Sequence, residues 1–329
     1  MESQQQNALF SWIYNENSAS FNHEGHSFTR HHEADVLASF CRVRLVYADL
    51  KYEAQLAPLF LSLPSLQSVG RIQREAGLFC VELALNSPLD EARQCQLQAF
   101  DGVELITLAD HAPRLDRQGL LVMDMDSTAI EIECIDELAA MAGVGEAVAE
   151  VTERAMQGEL DFEQSLRARV AKLAGADAAI IDNLCARLPL MPGLTAMIRE
   201  LQSHQWRLVL ASGGFTPFVG HLKQLLALDA AYANELVIEG NRLSGEVRGT
   251  IVDAQFKADT VIKSAESWQI ATGQRVAIGD GANDIPMVQS ADFGIAYHAK
   301  PKLRQAADAV IDKLDLRVLP YMLLDLSGR

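Results

Sequence analysis

Apolar positions fall into two successive rhythms along this 329-residue chain. In the first, residues 41–48, 67–72, 78–85 and 103–108 read as short strands. Residues 51–63, closed by Pro64, and 90–100 show helical spacing. The order strand, helix, strand, strand, helix, strand predicts a small α+β domain around one sheet. Residues 111–118 hold Pro113 and several charges and read as a linker. In the second rhythm, the runs 120–123, 207–211, 275–278 and 293–296 are continuously apolar, as strands buried on both faces are. Helical patterns separate them, so a doubly wound parallel α/β sheet is expected.

The gap between the first two of these runs is too long for a single crossover. Residues 135–142, 146–157, 162–173 and 178–187 fill it with helical patterns, and Asp161 with Gln164 suits a capping box. A helical insertion of about 131–190, placed right after the first strand, lies over the C-terminal edge of the sheet. Ligands of such sheets bind there, so the insertion is placed to act as a cap. Glu239-Gly240-Asn241 marks a hairpin within 234–249. Residues 1–35 are polar and irregular. The histidines His23, His26, His31 and His32 lack a Cys or Glu pattern and read as a surface loop rather than a metal box. The expected domains are 1–110 and 119–329.

Composition narrows the function classes. The apolar fraction is 49% and the charged fraction 22%, which suits a globular chain with a sizeable core. No stretch approaches the roughly 18 to 20 apolar residues of a membrane span. The net charge of −16 disfavours nucleic acid and anionic membranes as partners. A small phosphate ester is still admissible, because a few local cations and a metal ion can dominate one pocket. Five scattered cysteines without C-x-x-C spacing, and a start that is neither basic nor apolar, point to a reducing cytoplasm.

The candidate chemistry sits at the C-terminal ends of the second set of strands. Asp124 and Asp126 follow 120–123, and two carboxylates at a strand mouth can divide the labour of nucleophile and acid/base. Gly279-Asp280-Gly281-Ala282-Asn283-Asp284 follows 275–278 and brings two more acids. Ser212-Gly213-Gly214 follows 207–211 and suits close approach to phosphate oxygens. Lys257 opens a helix before the downstream acidic motif. Four carboxylates at one mouth repel by roughly 4 kcal/mol per pair at about 4 Å, and a hard divalent cation removes that cost. All-oxygen donors favour Mg²⁺ over zinc, and the whole set is the electrostatic recipe for phosphoryl transfer.

Taken in order, Asp124-x-Asp126-x-Thr128, Ser212, Lys257 and Gly279-Asp280-x-x-x-Asp284 resemble the four motifs of the haloacid-dehalogenase (HAD) superfamily. The match is extended by Glu133, the stretch Phe162-Glu163-Gln164-Ser165-Leu166-Arg167-Ala168-Arg169-Val170, and Ser212-Gly213-Gly214-Phe215. With these the chain resembles the phosphoserine phosphatase branch over 119–329. That resemblance implies a HAD-like Rossmann-type core with a helical cap, and Mg²⁺-dependent hydrolysis of O-phosphoserine through an aspartyl-phosphate, the last step of serine synthesis. It makes Asp124 the nucleophile and Asp126 the acid/base. Asp124, Asp280 and the Asp126 carbonyl would hold the metal, with Asp284 in support. Ser212, Gly213, Lys257 and Asn283 would bind phosphate. Glu133 would meet the substrate ammonium and Arg169 its carboxylate.

Residues 41–108 resemble small ferredoxin-like, amino-acid-sensing (ACT-like) modules, without a visible ligand motif. A domain that only packs or dimerises is an equal reading, and a homodimer through it is the partner expectation. The residues leave open another small phosphomonoester as substrate, transfer to an alcohol instead of water, or a non-catalytic amino-acid sensor.

Overall fold

A computed structural model describes residues 2–15, 18–36, 40–109 and 111–327. Two compact units emerge: 1–118 with 195–205 and 311–329, and 119–194 with 206–310.

The first unit alternates strands and helices around Cys41–Tyr47, whose last five residues are all buried. Its strands are β1 (Ser20–His23), β2 (His26–Arg30), β3 (Cys41–Tyr47), β4 (Leu66–Arg71), β5 (Phe79–Leu85) and β6 (Val103–Leu108), ordered β1-β2-β4-β5-β3-β6. The four strands β4-β5-β3-β6 pair antiparallel, with helices Glu53–Leu61 and Glu91–Gln98 in the crossovers. This is the ferredoxin-like arrangement the alternation implied. Leu45, Leu56, Phe60 and Leu83 pack in its core, all fully buried.

A charged cluster lies inside the same sheet. Arg44 on β3 faces Glu82 on β5 in register, and both are 0% exposed. Arg44 donates to Glu82 at 2.7 Å, to Glu33, and to the carbonyls of Tyr321 and Leu323 at 2.7 and 2.8 Å. Arg42 and His31 reach the other Glu82 oxygen at 2.8 and 3.2 Å. A buried charge is tolerable only when paired and hydrogen-bonded in this way.

Residues 1–35 are not irregular. Glu2–Tyr14 is a helix whose Leu9, Phe10, Trp12 and Ile13 are buried, and β1 pairs with β2 as a hairpin. The apolar stripe is confined to the second half of a polar helix, so no sustained period shows. The hairpin turns on Glu24 (φ 47°) and Gly25 (φ 84°), and glutamate is an uncommon first residue for such a turn. Of the four histidines only His32 lies in an exposed loop, as expected. His23 and His26 are cross-strand partners, and His31 lies between Ser68 and Glu82. Within the segment read as a linker, Leu115 donates to Leu324 O at 2.8 Å and Leu324 to Pro113 O at 2.9 Å. Asp110 lies outside the described residues.

The second unit holds β7 (Leu120–Met123), β8 (Arg207–Phe215), β9 (Ala230–Glu239), β10 (Arg242–Arg248), β11 (Arg275–Gly279), β12 (Phe293–Tyr297) and β13 (Ala309–Ile311). The sheet order is β10-β9-β8-β7-β11-β12-β13. The pairs β9-β8, β8-β7, β7-β11 and β11-β12 are parallel, while β9 and β10 form the expected hairpin. Leu120, Val122, Val209, Ala277 and Ala296 are all fully buried, which explains the uninterrupted apolar runs. β8 runs to Phe215 instead of ending at Ala211, with its ladder to β9 broken between the two. Gly214 lets Met125 approach this break closely, since a Cβ there would stand 2.9 Å from the Met125 side chain.

Four helices between β7 and β8 form the insertion: Cys134–Met141, Gly145–Met156, Phe162–Lys172 and Ala179–Cys185. The third starts with the full Asp161/Gln164 capping box. The insertion is tied to the β9–β10 hairpin, where Gly175 donates to Leu243 O at 2.8 Å and Ala178 to Asn241 O at 2.9 Å.

Candidate active site

Strand register assembles the acidic cluster. β7 and β11 are neighbours in which Met123 pairs with Ile278, so both strands end side by side. Asp124, anchored by its N–H on Ile278 O at 3.1 Å, and Asp280 leave the sheet at the same mouth. Oxygens of Asp124, Asp280 and Asp284 lie within 4.8 Å of one another. The Thr128 hydroxyl donates to Asp280 at 3.3 Å. The turn that returns Thr128 places Ser127 at φ 56° and directs its hydroxyl to Glu133 at 2.8 Å.

Lys257 is the buried counter-charge. From helix Ala254–Ser267 its Nζ reaches Asp124 and Asp284, each at 2.8 Å. Asp284 also accepts the main-chain N–H groups of Asp280 and Gly281 at 3.2 and 3.0 Å, so it holds both the lysine and the loop. A Cβ on Gly279 would stand 2.5 Å from the Asp284 carboxylate; only glycine permits that approach. Burial alone would lower the Lys257 pKa, but Asp124 and Asp284 outweigh it and hold the ammonium charged. Burial and Asp284 push the Asp124 carboxyl well above its usual range against the pull of Lys257. Burial and then Glu133 raise Asp126 to about 7; burial and then Asp284 raise Asp280 to about 6. One lysine does not neutralise this many acids in a dry site.

A cavity of about 430 Å³ opens above the cluster, between core and cap. Asp124, Asp126, Lys257, Asp280, Asn283 and Gly213 line it from the core, and Glu133 and Arg169 from the cap. Ser212 and Asp284 lie beneath its floor, both 0% exposed. Arg169 is largely buried, and its Nε has no hydrogen-bond partner. Burial lowers its pKa against the opposing fields of Asp136 and Glu133. Phe162 overhangs Gly213, where an added Cβ would meet the ring at 3.0 Å.

The site also contains residues that sequence reasoning passed over. Asp136 and Thr152 line the cavity, as does Lys300, whose N–H donates to Asp280 O at 3.1 Å. Asn234, fully buried, joins Gly213 to Val252. Its position in the expected hairpin segment gave no chemical signal, because its role depends on the break in β8. Cys134 does more than fill space: its main-chain N–H donates to Asp126 at 3.3 Å.

The cluster is a set of carboxylates that could hold a hard cation beside a buried lysine, on a doubly wound sheet with a cap. A haloacid dehalogenase-like hydrolase family model matches residues 119–292, and the chain belongs to this family. Its relatives there are more specific. A phosphoserine phosphatase of Haemophilus influenzae is 51% identical over 218 residues, spanning 66% of this chain and 69% of that protein. One of Vibrio cholerae is 52% identical over 199 residues, spanning 60% and 61%. The crystal structure of a probable phosphoserine phosphatase from Vibrio cholerae superposes with TM-score 0.75 at 38% identity, covering 90% of this chain and 89% of that one. The curated relatives are thus matched over about two thirds of their length. Among the described residues, no helix is long and apolar enough to cross a membrane.

Proposed function

We propose that the protein is a phosphoserine phosphatase, releasing phosphate from O-phospho-L-serine in the last step of serine synthesis. One observation carries the substrate. A cavity floored by Asp124, Asp126 and Lys257 is walled by Glu133 and by Arg169, whose buried Nε is unpartnered. Phosphoserine supplies a phosphate for the floor, an ammonium for Glu133 and a planar carboxylate for Arg169.

The donor set fits Mg²⁺: clustered carboxylate oxygens, no histidine or thiol, and excess negative charge. Asp124, Asp280 and the Asp126 carbonyl would hold it, with Asp284 in support. Bound there, it would neutralise charge on the phosphoryl oxygens and the surrounding carboxylates.

In the first step an Asp124 oxygen attacks phosphorus as the phosphorus–serine oxygen bond breaks, and Asp126 gives its proton to that oxygen. In the second step Asp126 takes a proton from water, which attacks phosphorus and frees Asp124. Lys257, Ser212, Gly213 and Asn283 hold the phosphoryl oxygens. Phe162 and the cap helices exclude competing water. We assign catalysis to 119–329 with its cap at 131–190, joined through 111–118 to an N-terminal domain, 1–110, that is the candidate homodimer module. We place the enzyme in the cytoplasm.

The test is phosphate release from phosphoserine and from an aryl phosphate, with and without Mg²⁺, for wild type and Arg169→Ala. Arg169→Ala is expected to lower kcat/KM for phosphoserine by roughly 100-fold or more while sparing the aryl ester. Equal losses on both would refute the substrate assignment.

A further inference from the structure

We propose that Asn234 is a positioning residue of the phosphate site, acting through the Gly213–Gly214 peptide to aim the Ser212 hydroxyl at the phosphoryl group. The proposal rests on the phosphate-ester reading above. Asn234 lies on β9, paired with Phe215 where the β8–β9 ladder resumes after skipping Ser212, Gly213 and Gly214. Its amide spans that gap. Nδ2 donates to Gly213 O at 2.8 Å and Oδ1 accepts the Val252 N–H at 2.8 Å. The orientation of the amide follows from chemistry, since only its oxygen can accept from an N–H and only its nitrogen can donate to a carbonyl.

The Gly213 carbonyl shares a planar trans peptide with the Gly214 N–H, and the two point in opposite directions. Holding the carbonyl at Asn234 therefore turns the Gly214 N–H the other way, where it donates to Ser212 Oγ at 2.9 Å. A hydroxyl has two lone pairs and one proton. With a lone pair engaged by Gly214, the proton is the group left to give, and a phosphoryl oxygen is the acceptor it suits. Ser212 stands in the right place for this. A Cβ built on Gly214 would lie 3.1 Å from Ser212 Oγ and 3.2 Å from Asp126 Oδ2, so both groups flank the same cavity-lining glycine. Without Asn234 the peptide can rotate, and Ser212 can donate to a backbone carbonyl instead.

The experiment is a double-mutant cycle of Asn234→Asp with Ser212→Ala. Alongside it, orthovanadate and serine are measured as ligands in Mg²⁺ buffer by shift in melting temperature. Asn234→Asp keeps the acceptor for Val252 and sets an oxygen against the Gly213 carbonyl. Asn234→Ser removes the bridge without adding charge. Each is expected to weaken orthovanadate and kcat/KM by about 10- to 100-fold, with serine affinity held within about twofold. In the Ser212→Ala background the further loss is expected to stay below about threefold. Additive losses, parallel weakening of serine, wild-type orthovanadate affinity, or unfolding of both variants would each overturn the proposal. If the wild type hydrolyses other esters but not phosphoserine, the substrate assignment fails, and the orthovanadate comparison still decides Asn234.

Discussion

Asp124 answers to two opposed demands. In the proposed mechanism it must be an anion to attack phosphorus, yet burial and Asp284 favour its neutral form. Asp124→Asn is expected to reduce turnover by about four orders of magnitude or more, because no nucleophile is left. In metal-free buffer the same change should leave the melting temperature equal or higher, since it removes a repelled carboxylate while Lys257 keeps Asp284 at 2.8 Å. A lower melting temperature would show that the Lys257 contact outweighs the repulsion. Asp126 sets the pH dependence. In the proposed mechanism it must carry a proton to protonate the serine oxygen, and burial with Glu133 retains that proton up to about pH 7. The value of kcat/KM for phosphoserine should therefore fall about tenfold per unit above that point. An activated aryl ester, whose leaving group needs no proton, should stay flat, and a bound cation would move the limb to lower pH. Asp124, Asp126 and Asp280 were picked out from sequence because each follows an apolar run, and Lys257 because it opens the helix before the Asp280 motif. Asn234 and Lys300 were not, because what they touch depends on a ladder break and a returning loop.

In the proposed mechanism the cap sets specificity. The helix Phe162–Lys172 carries Arg169 near its end and depends on Asp161 at its start, where the side chain accepts the Gln164 N–H at 2.8 Å. Asp161→Ala should cost about 1 kcal/mol of stability. It should also raise KM for phosphoserine more than it lowers kcat, because it loosens the carboxylate anchor and leaves the core cluster intact. Chemical unfolding and steady-state kinetics together check this; a kcat loss with unchanged KM would count against it. The cap helices could be read to within two residues, since each buries one face at regular spacing. Glu2–Tyr14 could not, because only four of its residues define the stripe, and the Glu24-Gly25 turn lacks the usual hairpin residues.

At the scale of the molecule, the ferredoxin-like unit is the acid-sensitive part. Burial alone would raise the Glu82 carboxyl, but Arg44, His31 and Arg42 overcome it and hold it at about 2, below its ordinary 4.5. A carboxyl depressed on folding stabilises fully above 4.5 and loses that contribution as pH falls from 4.5 toward 2. Glu82→Gln strands Arg44 and should cost about 3 to 5 kcal/mol near pH 6. The gap to wild type, followed by urea unfolding, should narrow as the pH drops through that window. A constant gap would mean that Glu82 is not charged in the folded state.

The carbonyls that quench Arg44 belong to Tyr321 and Leu323, at the far end of the polypeptide. A ribosome emits β3 and β5 early, and must translate the whole phosphatase core before those two acceptors exist. Until they are made, Arg44 in the nascent sheet has Glu82 and Glu33 as partners but not these two carbonyls. A chain cut before Tyr321 is therefore expected to unfold its ferredoxin-like unit at lower urea than its catalytic one.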